Sequence, residues 1–169
     1  MSSRLDLTAW NKFWDYWGDF IEEVPEAIKT ALYAAAVAAQ REVQAQIDRQ
    51  GVTDPCGRVK RWQEIRMGSG GHYSAVSPTL DEVVQAAKSS GEWTTSADLT
   101  RYLDRGHGVR QPSGRAKRYQ PRLRGNGTYV GGHLFYSWAA MQGDKVARDA
   151  AEDALRKFDD ELTDAIYGG

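Results

Sequence analysis

The sequence predicts an α+β domain in which helix outweighs strand. Long N-terminal and C-terminal helices pack on a small antiparallel sheet, and a long basic loop interrupts the second half. Three observations carry this. Apolar residues recur at three- and four-residue spacing before Gln50 and again after Leu134, the period of a helix buried on one face. Between residues 58 and 77 the apolar positions are interleaved with charge around a glycine-rich turn, which reads as a hairpin. From Arg110 to Arg124 six basic residues occur with no acidic one among them. A loop of that length inside a compact domain is usually functional or disordered.

The chain of 169 residues carries a formal net charge of −1, so affinity for nucleic acid must come from a local feature and not from bulk charge. The length suits one domain, 1–169, with residues 1–25 as an aromatic helical arm and 26–169 as the body. A single cysteine, Cys56, excludes an intramolecular disulfide, and no signal-like region leads the sequence, which points to a reducing cytosol or a particle assembled there. No apolar run approaches the roughly twenty residues that span a bilayer.

In order, Leu5 to Glu23 sets Trp10, Phe13, Trp14, Trp17, Phe20 and Ile21 on one helical face, with Thr8 as a cap. This face is either core or a subunit contact anchored by Trp10, Trp14 and Trp17, since tryptophan is enriched where partners bury an anchor. Its acidic opposite face argues against a membrane surface. Pro25 should end that helix and open a second, from about Glu26 to Gln50, whose alanine-rich stripe admits close approach by another element. Gly51 is its stop. Val59, Trp62, Ile65 and Met67 read as a strand, Tyr73 to Val76 as its return across Gly68–Gly71, and Pro78 as the end.

Leu80, Val83, Val84 and Ala87 suggest a short helix closing near Gly91. Ala97 to Arg105 turns as a helix with Leu99, Tyr102 and Leu103 on one face, stopped by Gly106 and Gly108. Asn126-Gly127 favours a tight turn, and Thr128–Val130 should add to the sheet. Leu134 to Met141 makes one helix, Gly143 permits a bend, and Val146 to Ile166 makes a long amphipathic helix with a solvated mixed-charge face.

Chemistry is sparse. His72, His107 and His133 do not pair at metal-ligand spacing, and with one cysteine no zinc set forms. His107 with Asp104 as its orienter has the makings of a general base, but no nucleophile motif or phosphate loop accompanies it. No catalytic, cofactor or metal residue is therefore assigned. Gly106, His107 and Gly132 read as the hinges of the loop 109–127, with the glycines relieving backbone strain and the imidazole bonding locally. Arg110, Arg115, Lys117, Arg118, Arg122 and Arg124 either keep the loop solvated, neutralise phosphates, or dock on an acidic protein surface. Tyr119, Pro121 and Leu123 interleave apolar groups that suit docking.

The order Tyr102, Asp104, Gly106-His107, then a basic loop, then Tyr129-Val130, Gly132 and Phe135 opening a C-terminal helix, resembles the neck or tail-completion family of long-tailed bacteriophages. Asp104 stands where that family often has Glu, and the first twenty residues have no counterpart in the pattern. The resemblance implies a structural virion protein at the head–tail interface, assembled in the host cytoplasm. It implies a homo-oligomeric ring, hexameric or dodecameric, that meets connector and tail proteins and contacts genomic DNA without reading its sequence. The alternative class is a nucleic-acid-binding accessory protein using the same loop.

Overall fold

A computed structural model describes residues 8–80, 82–85, 93–108 and 129–167, with side chains from Glu23 onward except at 85 and 165–167. The segment 109–128, with Arg110, Arg115, Lys117, Arg118, Arg122 and Arg124, lies outside the described residues, as do the side chains of Trp10, Trp14 and Trp17. The class is α+β, as the patterning implies. Helix α1 (Thr8–Arg49) and helix α4 (Phe135–Tyr167) form the long antiparallel pair.

Helix α1 runs through Pro25 without the expected break. The ring removes one N–H donor, but the rest of the ladder persists because α4 packs alongside. Glu23, Ala27 and Ala34 share one groove with Ala150, Phe158 and Glu161. Gly51, at φ 73°, ends the helix after its last turn, as its sequence position predicts, and Val52 N–H returns to the Ile47 carbonyl at 3.1 Å. Helix α4 likewise continues through Gly143 as a single helix. A Cβ at Gly143 would sit 3.3 Å from Cγ of Glu42, so this glycine serves the close approach of the two helices. Across the pair, Gln46, fully buried, donates to Gln142 Oε1 at 2.7 Å and accepts from Gln50 at 3.0 Å.

The hairpin exists but starts later than the pattern suggests. Arg58–Arg61 is a helical turn, α2, because the Asp54 carboxylate accepts from the backbone N–H of Arg58 at 2.7 Å and of Lys60 at 3.1 Å. Val59 and Trp62 then point into the core at helical, not strand, spacing. Strands β1 (Gln63–Met67) and β2 (Ser74–Pro78) pair antiparallel across a 3₁₀ turn at Ser69–Gly71 and pack on α1. The helix expected over 80–91 is not formed where the chain is described. Val83–Gln85 is β3, paired antiparallel with β4 (Trp93–Thr95). The β-branched Val83, Val84, Thr94 and Thr95 in that ladder outweigh a helical spacing of only four apolar residues.

Helix α3 (Ser96–Arg105) follows directly, its start capped by Thr95, whose hydroxyl accepts from Asp98 N–H at 3.1 Å. Strand β5 (Gly106–Gly108) pairs with β6 (Tyr129–Gly131), so the expected contribution near 128–130 goes to a third two-stranded sheet and not to the hairpin. The core lies where these pieces meet the C-terminal half of α1. Val43, Ile47, Val52, Val59, Trp62, Phe135 and Ala139 are buried there, flanked by Val76, Val84, Leu99, Leu103 and Tyr136. Tyr102, expected on the apolar face of α3, is 44% exposed. Among the described residues, no helix is long and apolar enough to cross a membrane.

Candidate functional site at the base of the basic segment

The twenty residues 109–128 leave from β5 and return in β6, which lie side by side in register: Gly106 opposite Gly131, His107 opposite Val130, Gly108 opposite Tyr129. What fixes this base is the end of α3. A helix leaves its last four carbonyls without internal partners, and here each finds one. Tyr102 carbonyl accepts from Gly106 N–H, Leu103 from His133 N–H at 2.9 Å, Asp104 from Leu134 N–H at 2.7 Å, and Arg105 from the Tyr129 hydroxyl. Three of the four donors come from the far side of the basic segment.

That closure requires bare backbone at two positions. Gly106 has φ 83°, and a Cβ there would meet the Val130 carbonyl oxygen at 2.2 Å. A Cβ on Gly132 would meet the Asp104 carbonyl oxygen at 2.2 Å and the Gly106 nitrogen at 2.4 Å. The two glycines expected to act as hinges are therefore packed against each other, twenty-six positions apart in sequence. Only Gly106 uses the left-handed region; Gly132 is needed for contact distance alone.

The same corner starts α4. Asp104, 5% exposed, reaches across from α3 and accepts from Tyr136 N–H at 3.0 Å, placing a carboxylate at the positive end of a 33-residue helix. The residue before α4, Leu134, is held at φ 54°, a left-handed conformation that β-carbon-bearing residues seldom adopt. The Tyr136 hydroxyl donates to Gln63 Oε1, and Gln63, itself buried, donates to the Val59 carbonyl at 2.8 Å. Burial first, and then the nearby charge of Asp104, hold the Tyr136 phenol protonated well above the usual tyrosine range. His133 contacts the Gln50 carbonyl through Nδ1 at 2.7 Å; because a carbonyl only accepts, that nitrogen carries the proton. The corner is thereby tied to the end of α1.

His107 does not take the place its sequence position suggests. It is exposed, and its ring lies 5.6 Å from that of Tyr102, tilted by 51°. The Asp104 carboxylate that would orient it is engaged at α4 instead. The bonds expected of His107 are made by Tyr129 and His133. Neither was legible as a clamp, because a histidine or tyrosine bonded to a remote carbonyl leaves no spacing signal. Among the described residues, no group of three or more His, Cys, Asp or Glu side chains is arranged to hold a metal ion. The arrangement brings the two ends of the basic segment side by side at one corner. Comparisons of the chain with protein-family models, curated proteins and solved structures returned no significant match.

Proposed function

We infer that this chain is a structural subunit of the neck of a long-tailed bacteriophage, assembling as a homo-oligomeric ring that joins head and tail or completes the tail. One observation supports the reading beyond sequence order. The two half-motifs that carry the resemblance, Tyr102 to His107 and Tyr129 to Phe135, meet in space as a single knot. Each has a distinct part in it. Gly106 and Gly132 touch, Asp104 caps the helix that Phe135 opens, Tyr129 closes α3, and Phe135 is fully buried beneath. Residues that share one construction have a common reason to occur in that order. The work of such a knot is to hold the two ends of the basic segment side by side, which suits a ring subunit whose segment meets a DNA-filled channel or the acidic surface of a neighbouring ring.

The role is one of assembly and not of catalysis. Its test is location: a virion carrying this subunit with a small label, imaged by electron microscopy, is expected to show the label at the head–tail junction in ring symmetry. A particle that lacks the subunit, or carries it elsewhere, overturns the reading. The accessory nucleic-acid-binding alternative instead requires the free protein to bind DNA with an affinity that falls steeply with salt.

A further inference from the structure

Beside the knot lies an open cleft of about 930 Å³, within the range of ligand pockets. One wall is the end of β2, at Val76 and Ser77; the other is α3, at Arg101 and Arg105; Leu134, just before α4, and Ala140 within it form an apolar floor. The β2 wall is an unpaired strand edge. Gly68 N–H donates to the Tyr73 carbonyl at 2.8 Å and Thr79 N–H to the Trp62 carbonyl at 2.7 Å, which fixes the bonded pairs of the hairpin. Bonded and non-bonded pairs alternate in an antiparallel ladder. Ala75 and Ser77 therefore spend their backbone groups on β1, while Ser74 and Val76 turn theirs away from it. Pro78, the next outward residue, has no N–H and its carbonyl accepts from Arg66 at 3.4 Å, so the edge on offer ends at Val76. The sheet has two strands only, so that outer edge has no ladder partner among the described residues. In the same wall, the Ser77 hydroxyl is buried without a hydrogen-bond partner among the described residues.

The opposite wall is cationic. Arg101 and Arg105 are one helical turn apart and exposed, and the carboxylate between them, Asp104, is buried and bonded at α4. Positions four apart on a helix are about 5–6 Å from each other. Alternate residues of an extended strand repeat at about 7 Å, so two carboxylates at alternate positions of a strand match the two guanidinium groups. The intervening residues would face the floor made by Leu134 and Ala140.

We propose that this cleft binds an extended segment of a partner protein, with alternating acidic and apolar residues, by adding it as a third strand to the outer edge of β2. Backbone groups in ladder register and an apolar floor favour a polypeptide over a nucleic acid, whose phosphates would satisfy only the arginine wall. Neither the basic segment nor the N-terminal turns of α1 line the cleft, so its binding is independent of the place of the chain in a particle.

The test uses the full chain and a fluorescein-labelled octapeptide alternating valine and glutamate, followed by fluorescence anisotropy. Binding is expected, and it should weaken at least tenfold both for the valine–lysine analogue and for the Arg101→Glu/Arg105→Glu variant, whose melting curve stays unchanged. Two further peptides carry N-methyl groups on alternate amides, one on each edge of the strand. Strand addition requires that one of them bind and the other fail. Equal binding of both, failure of both, no binding of the parent peptide at millimolar concentration, or Arg-dependent binding of oligo-dT without peptide binding would each overturn the proposal.

Discussion

Two kinds of residue hold the corner between α3 and α4, and they fail differently. Gly106 and Gly132 act through absence: a methyl group at either overlaps a backbone carbonyl oxygen at 2.2 Å, and neither neighbour is a side chain that can swing aside. Gly106→Ala and Gly132→Ala should each lower stability by more than about 1 kcal/mol, Gly106→Ala doubly so because it also forces alanine to φ 83°. Urea titration of both variants checks this, and unchanged midpoints would remove the glycines from the account. Tyr136 acts through what it keeps. The folded protein holds a phenolic proton that the unfolded chain releases near pH 10, so the folded state binds more protons above that pH. Its contribution is complete below pH 10 and is lost as pH rises further. Tyr136→Phe should flatten this alkaline decline in thermal midpoint. It should also lower stability at pH 7, because Gln63, 1% exposed, loses the partner of its amide oxygen. An alkaline slope identical in both proteins would show that the phenol is not the group responsible.

At the level of elements, continuity is decided by what packs alongside. Proline in a helix interior costs up to about 3 kcal/mol in lost hydrogen bonding and ring clash. In α1 that cost is borne where α4 covers Glu23 to Ala34. Pro25→Ala is therefore expected to raise the thermal midpoint, by the equivalent of about 1–3 kcal/mol. Were the chain broken at this position, alanine would be neutral or harmful. The same reasoning explains what the sequence made legible. Long periodic stretches, the stop at Gly51, the hairpin turn and the positive φ of Gly106 arise from local chemistry, whereas Gly132 is required by a contact with backbone twenty-six positions away. Pro25 and Gly143 looked like breaks because a sequence does not display the neighbouring helix. Val83 and Val84 fit a helical and a strand period equally, and only the pairing with Thr94 and Thr95 separates them. Helix α3 forms over the expected residues with Leu99 and Leu103 against the core, but Tyr102 and the polar face escaped the pattern. Its most buried residues, Ser96, Thr100 and Asp104, are polar, and an apolar stripe at Leu99 and Leu103 draws attention to the adjacent face. Their burial depends on bonds such as Thr100 Oγ1 to the Ser96 carbonyl at 2.7 Å and Asp104 to Tyr136 N–H, which no spacing rule detects.

The molecule as a whole is built about two helices of unequal length. They run antiparallel with Gly143 beside Glu42, and α4 continues for twenty-four residues beyond that point, to Tyr167. At equal rise its last turn reaches the level of about residue 18 in α1. Helix α1 starts at Thr8, so its first ten or so residues continue roughly 15 Å past the end of its partner. Trp10, Trp14 and Trp17 fall in that overhang, at spacings of four and three that put them on one helical face. Among the described side chains, the buried cluster lies toward the other end of α1, around Val43 and Ile47. A helix that outruns its intramolecular partner while carrying three large aromatic residues is suited to burying them against another subunit, where tryptophan is a frequent anchor. The expected consequence is a separation of folding from assembly. Replacing all three by alanine should leave the thermal midpoint of the isolated subunit within a few degrees of the parent. It should also abolish the multimer, as read by light scattering on a sizing column or by incorporation into particles. A triple variant that unfolds would place the stripe in the core of the subunit. One that folds and still assembles would leave the overhang without a role in the ring.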